Sequence, residues 1–179
     1  EAYHLGFIDI GFTSPDVDVN YAQFLDWTAK GYQAGMQYLA RNNTVTSRQS
    51  AKMLFTECQT VICLAYPYPL IVTNATKNQA RIASYALSQD YHITVSELAN
   101  KLVTKMSQFL GDQFLAQVHL DTSPILEKSY AQQAGLGWIG RNSLLIHPNY
   151  GSSIFLCEIL INIPLEPDPP FTVDGCQNC

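Results

Sequence analysis

Apolar residues recur along this chain at two kinds of spacing, and together these predict strands alternating with helices. Residues 5–11 (Leu-Gly-Phe-Ile-Asp-Ile-Gly) form a short apolar run between glycines and read as a strand. Residues 21–30 place Phe24, Leu25 and Thr28 on one side of a helix that Gly31 is suited to close. Residues 37–41 read as a further helical turn. Residues 60–66 are apolar and β-branched up to Pro67, the pattern of a buried strand. From 78 to 110 the pattern is helical with a break near Asp90. Within it Val95, Leu98, Leu102, Met106 and Leu110 make one apolar stripe, and Gly111 stops it. Residues 114–120 read as a strand, and 125–134 as a short helix behind Pro124. Residues 143–147 and 152–162 read as two strands, and the turn Pro148-Asn-Tyr-Gly151 between them predicts a hairpin. After Pro164 the run Glu166-Pro-Asp-Pro-Pro170 excludes regular structure and reads as a linker.

Elements mixed in this order predict an α/β (α+β) fold, a sheet covered by helices. One domain is expected over residues 1–165, with a second module starting near Cys176. The 179 residues suffice for a substantial core, and 47% hydrophobic against 14% charged residues argues against long disorder. A net charge of −5 argues against a general electrostatic nucleic-acid binder, though not against an RNA held by a local patch. No run of 18 apolar residues predicts a transmembrane helix, and no basic-then-apolar start marks a signal peptide. Cys58, Cys63 and Cys157 lie in apolar surroundings and read as buried thiols, which fits the cytoplasm. The sequons at Asn42 and Asn74 are chance matches in that setting.

Asp121 follows a predicted strand and precedes Thr-Ser-Pro. It reads either as the N-cap of the next helix or as an acid at a strand end, placed to donate a proton. Gly135, Gly137 and Gly140 spell G-x-G-x-x-G. A dinucleotide site needs a strand before that motif and a long helix after it, so that reading is rejected here. The glycines are expected to turn the chain or admit a flat ligand. Trp138 is then core or a stacking wall, and Arg141 and Asn142 are a solvated turn or a ligand edge. His92, beside a predicted helix, is satisfied locally or is a site residue. The four histidines lack zinc spacing, and neither a phosphate loop nor a nucleophile elbow is present. Cys176-Gln-Asn-Cys179 is half of a thiolate metal motif, and behind a proline-rich linker a cluster or zinc is favoured over a redox dithiol. Two thiolates seldom hold a metal alone, so the chain is expected to be a fragment with further cysteines beyond it.

Five collinear motifs carry a family resemblance. They are Gly31-Tyr-Gln-Ala-Gly-Met-Gln-Tyr-Leu-Ala-Arg41, Ser84-Tyr-Ala-Leu-Ser-Gln-Asp-Tyr-His92, Asp121-Thr-Ser-Pro-Ile-Leu-Glu-Lys128, Ala134 to Ser143, and Tyr150-Gly-Ser with Phe155-Leu-Cys-Glu158. Over nearly its whole length the chain resembles the N-terminal part of the epoxyqueuosine reductases. The resemblance implies a nitroreductase-like cobalamin-binding domain, followed by the truncated start of a ferredoxin-like iron-sulfur module over residues 166–179. It implies reduction of epoxyqueuosine to queuosine in tRNA, with Asp121 as proton donor and cobalamin as the reducing cofactor. Arg48, Asp90, Tyr91, His92, Trp138, Arg141, Asn142 and Ser143 would border the cofactor or the modified base. Cys176 and Cys179 would be the first two ligands of a [4Fe-4S] cluster, fed by an electron donor. The resemblance further implies tRNA as the partner, no membrane, and a monomer.

The chain departs from the family pattern at Leu54-Phe-Thr-Glu-Cys-Gln-Thr-Val-Ile62, which lacks the usual Pro-Gly. It departs again at Ser84 and Ser88, where Arg and Gly are usual. Alternatives to the reductase are a related cobalamin/iron-sulfur reductase such as a dehalogenase, a non-catalytic corrinoid-binding domain, and a zinc-binding adaptor.

Overall fold

A computed structural model describes residues 1–16, 18–70, 80–173, 175 and 176. Its centre is a four-stranded antiparallel sheet of β1 (Asp9–Thr13), β2 (Thr60–Pro67), β3 (Ala116–His119) and β6 (Ile154–Ile161), in the order β1-β2-β6-β3. A two-stranded ribbon pairs β4 (Trp138–Ile139) with β5 (Leu145–Ile146). The helices are α1 (Asp18–Ala29), α2 (Asn42–Ser47), α3 (Tyr91–Leu110) and α4 (Glu127–Gln133).

The unbroken apolar run of β2 is explained by its place, because both of its faces are covered. Ile62 and Leu64 point toward Val95, Ala99 and Leu102 of α3, together with Cys157, Ile159 and Ile161 of β6. Cys63 and Ala65 point toward Tyr130, Ala131 and Ala134 of α4, together with Leu136, Leu145 and Leu160. Alternate residues of one strand thus feed two cores. Tyr130 locks α4 to the N-terminal segment: its hydroxyl donates to the Pro15 carbonyl at 2.6 Å and accepts the Ala51 amide at 2.8 Å.

The stripe on α3 buries Val95 and Leu102 and packs Leu98 and Met106 beside them, while Leu110 at the helix end stays exposed. Gly111 closes the helix at φ 82°. Several expectations are corrected. Residues 80–90 are not α-helical and hold only a 3₁₀ turn over Ser84–Ala86. Ile82 and Leu87 are exposed there, so a helix would have no apolar face to bury. The predicted helix start at 78 lies outside the described residues. The first strand begins at Asp9, because residues 2–5 form a 3₁₀ turn closed by Gly6 at φ 95°.

The predicted hairpin is also corrected: β5 pairs with β4, and β6 pairs with β2 and β3. A strand as apolar as β6 is stable in the middle of a sheet with both faces covered, not in a two-stranded ribbon. The three glycines serve these packings. Gly135 ends α4 at φ 82°, and a Cβ on Gly137 would lie 2.2 Å from the Ile146 carbonyl oxygen. A Cβ on Gly140 would meet the Ile146 side chain.

The proline-rich segment has no regular structure, as its composition dictates, yet it lies against the domain. The Asp168 carboxylate accepts the Phe12 amide at 2.8 Å, and the Asp168 amide donates to the Phe12 carbonyl at 2.9 Å. Farther along, the Phe171 amide donates to Gln132, and the Phe171 ring lies 5.6 Å from that of Trp138.

Candidate active site

The β3–α4 loop and the start of α3 bring four of the candidate residues together. Asp90 is the N-cap of α3: its Oδ1 accepts the His92 amide at 2.9 Å. The same oxygen faces His92 Nδ1 at 2.8 Å, and His92 Nε2 faces Asp121 Oδ2 at 3.1 Å. Tyr91 donates its hydroxyl to that Asp121 oxygen at 3.1 Å. Both nitrogens of His92 therefore point at carboxylates, which only the doubly protonated imidazolium can satisfy. Accordingly the Asp121 and Asp90 hydrogen bonds raise the His92 pKa. The hydrogen bonds from His92 lower that of Asp90, and burial beside Asp121 pushes Tyr91 up to about 12.

Asp121 is not the N-cap of α4. That position is Leu126, without a side-chain cap, and the Asp121 carboxylate turns instead to α3. Residue 121 has φ 55°, the left-handed region that a non-glycine residue enters only when neighbours hold it there. Its amide donates to Glu127 Oε1 at 2.5 Å. Glu127 opens α4, and burial, reinforced by the neighbouring Asp121 charge, pushes its carboxyl up to about 7. These groups line a pocket of about 170 Å³ together with Lys128, Leu144, Leu145, Ser152 and Phe155.

A row of aromatic rings leads away from the acid. Tyr91 stacks on Phe155, Phe155 lies 4.8 Å from Tyr68, and Tyr68 lies 6.3 Å from Tyr85. Two grooves adjoin the row, one of about 200 Å³ along Tyr66–Pro69 and Phe155, the other of about 530 Å³ between Pro67–Leu70 and Tyr150.

The other candidates fall around this centre or away from it. Ser143, at φ 63°, offers its carbonyl to Lys128 Nζ at 2.6 Å and so touches the pocket wall. Arg141 and Asn142 stand exposed on the turn between β4 and β5, where Asn142 Oδ1 accepts the Leu144 amide at 3.1 Å. Arg48 is half-buried, with its guanidinium 5.3 Å above the Phe24 ring, and desolvation lowers its pKa. Trp138 packs on Phe171 and against Gly175, so its ring serves internal packing. Cys176 is partly exposed, and Cys179 lies outside the described residues. Among the described residues no group of three or more His, Cys, Asp or Glu could hold a metal ion, and no helix is long and apolar enough to cross a membrane.

Glu127, Tyr68 and Phe155 were missed as site residues. Glu127 carried a usable signal, an acid in the first turn of a helix six positions after Asp121. The aromatic row carried none, since its members come from distant segments.

The model of the family described as Epoxyqueuosine reductase QueG, DUF1730 matches residues 48–122. An epoxyqueuosine reductase of Pseudomonas aeruginosa is 32% identical over 180 residues, covering 98% of this chain and 49% of the relative. A crystal structure of epoxyqueuosine reductase with an epoxyqueuosine-modified tRNA-Tyr stem loop has the same fold. Its TM-score is 0.87 at 24% identity, over 99% of this chain and 47% of that one. A reductive dehalogenase whose structure suggests a mechanism for B12-dependent dehalogenation shares the fold more distantly. Its TM-score is 0.63 at 15% identity, over 98% of this chain and 20% of that one. The chain thus spans about half the length of the curated relatives it matches.

Proposed function

Since the chain belongs to the epoxyqueuosine reductase family, we propose that it carries the reducing site of such an enzyme, converting epoxyqueuosine in tRNA to queuosine. Removing the epoxide oxygen as water consumes two electrons and two protons. The observation that supports this reading is the pair of His92 and Asp121, 3.1 Å apart, with Asp121 on the wall of a pocket. An alkoxide is a poor leaving group at neutral pH, and an acid at this position relieves the developing charge. The His92 imidazolium, open to solvent and backed by Asp90, gives its proton to the Asp121 carboxylate, and Asp121 passes it to the ring oxygen; His92 is then reprotonated from solvent.

Cobalamin, when bound, supplies the reducing chemistry. A corrin is flat and largely apolar with an amide rim, and the grooves beside Tyr68, Tyr150 and Phe155 suit such a face. Tyr91, Arg48, Arg141, Asn142 and Ser143 are the polar groups assigned to cofactor or modified base. Cys176 and Cys179 are assigned to a [4Fe-4S] cluster that passes electrons from an external donor. In this reading residues 1–165 form the nitroreductase-like domain, and residues 166–179 open a ferredoxin-like module. The protein is cytoplasmic and acts as a monomer. The dehalogenase alternative shares only the fold, and the sequence identity favours the epoxide substrate.

The test compares wild type with Asp121→Asn in the whole protein loaded with cofactors, on epoxyqueuosine-modified tRNA. Turnover should fall by roughly 10²–10⁴-fold while the visible spectrum of bound cobalamin is unchanged. Undiminished turnover overturns the role of Asp121. A wild-type protein that binds no corrin overturns the cofactor assignment.

A further inference from the structure

The β3–α4 loop holds Asp121 at φ 55°, a left-handed conformation that few residues other than glycine, asparagine and aspartate adopt. Inside the loop the Thr122 amide bonds back to Leu120 and the Ile125 amide to Ser123, while His119 Nδ1 meets Ser123 Oγ at 2.7 Å. The Thr122 bond spans residue 121 as a tight γ-turn and constrains its backbone from within the loop. The contact that ties residue 121 to the rest of the domain is the 2.5 Å hydrogen bond from the Asp121 amide to Glu127 Oε1. With φ at 55°, that bond turns the Asp121 side chain toward α3, where Tyr91 and His92 meet Oδ2.

We propose that Glu127 is a positioning residue for Asp121: by accepting the Asp121 amide it anchors the tight turn at residue 121 to α4 and keeps its carboxylate against His92 and Tyr91. The role matters for catalysis only through the reading of Asp121 as proton donor, but the geometry is independent of it. Glu127 faces Asp121 from the loop, Lys128 on α4, Arg48 behind α2, Tyr91 on α3 and Glu158 on β6. Burial and the nearby Asp121 charge raise it, the Asp121 amide, Lys128 and Arg48 oppose them, and its pKa is about 7. An ionised carboxylate accepts a hydrogen bond more strongly than a neutral carboxyl. The grip on Asp121 therefore tightens above pH 7 and slackens below it.

The test is nuclear magnetic resonance of the protein labelled at its histidines and at the Asp121 amide, without substrate or cofactor. In wild type the Asp121 amide proton should lie far downfield and move upfield as pH falls through about 7. An amide at an ordinary shift, indifferent to pH, overturns the proposal. In Glu127→Leu the His92 titration midpoint should fall toward that of free histidine. Glu127→Gln keeps an acceptor oxygen and should hold the wild-type midpoint. An unchanged His92 midpoint in folded Glu127→Leu also overturns the proposal. Because these resonances need no turnover, a protein that shows the shifts but reduces no epoxide refutes the proposed function and leaves the positioning role standing.

Discussion

The Tyr91 ring lies flat on Phe155, with centroids 4.1 Å apart and planes 6° apart, and its hydroxyl reaches Asp121 at 3.1 Å. The central strand β6 thereby sets the direction of a hydroxyl on α3, and through it the environment of the acid. Offset aromatic pairs contribute about 0.5–1.5 kcal/mol beyond the area they bury. Phe155→Ala should destabilise the protein by about 2 kcal/mol, read from the urea midpoint. It should also loosen Tyr91, so that the Tyr91–Asp121 hydrogen bond no longer forms. A variant as stable as wild type would show that the stack does not hold Tyr91.

His92 gives the site a pH signature. Its folded pKa is raised above the ordinary 6.5 by Asp121 and Asp90. Its stabilising contribution is therefore complete below about pH 6.5 and is lost as pH rises through the folded value. The ring is substantially exposed, so solvent screening keeps the effect small. The stability difference between wild type and His92→Gln should be present at pH 6 and gone by pH 9. A difference that grows toward alkaline pH would contradict the paired imidazolium.

Glu158 behaves in the opposite sense to an ordinary surface carboxylate. It is fully buried on β6, opposite Cys63 and His119, and neither carboxyl oxygen has a hydrogen-bond partner among the described residues. Burial, with Glu127 nearby, raises its pKa well above the ordinary 4.5, so it is held protonated. Folding is least penalised below pH 4.5, and the penalty grows as pH rises from there toward the folded value. As pH rises above 4.5 wild type should lose stability relative to Glu158→Gln, by up to about 1.4 kcal/mol per pH unit, until the folded value is passed. Chemical denaturation across that range checks it, and a constant difference between the two proteins would sink the assignment.

Two glycine substitutions separate close approach from backbone strain. A Cβ on Gly137 would sit 2.2 Å from the backbone oxygen of Ile146, whereas one on Gly31 meets nothing within 4 Å and suffers only its φ of 72°. Gly137→Ala should cost about 2–3 kcal/mol and disturb the β4–β5 ribbon. Gly31→Ala should cost about 1 kcal/mol. Equal thermal shifts for the two would show that the ribbon yields without strain.

Local periodicity was enough to locate β2, α1 and the apolar stripe of α3, because burial on a known face writes itself into residues two, three or four apart. Asp121 was legible as an acid at a strand end, and Asp90 as a break in a helical pattern with a candidate histidine beside it. Tertiary structure alone decided which strands pair, since β5 and β6 are both apolar and adjacent, and only the covered sheet centre distinguishes them. It also decided that Asp121 turns away from its own helix, that Glu127 holds its amide, and that Phe155 carries Tyr91. The contacts of Asp121 and Phe155 with α3 join segments that sequence spacing leaves independent, and even the local Asp121–Glu127 contact depends on a backbone path that only the packed sheet defines.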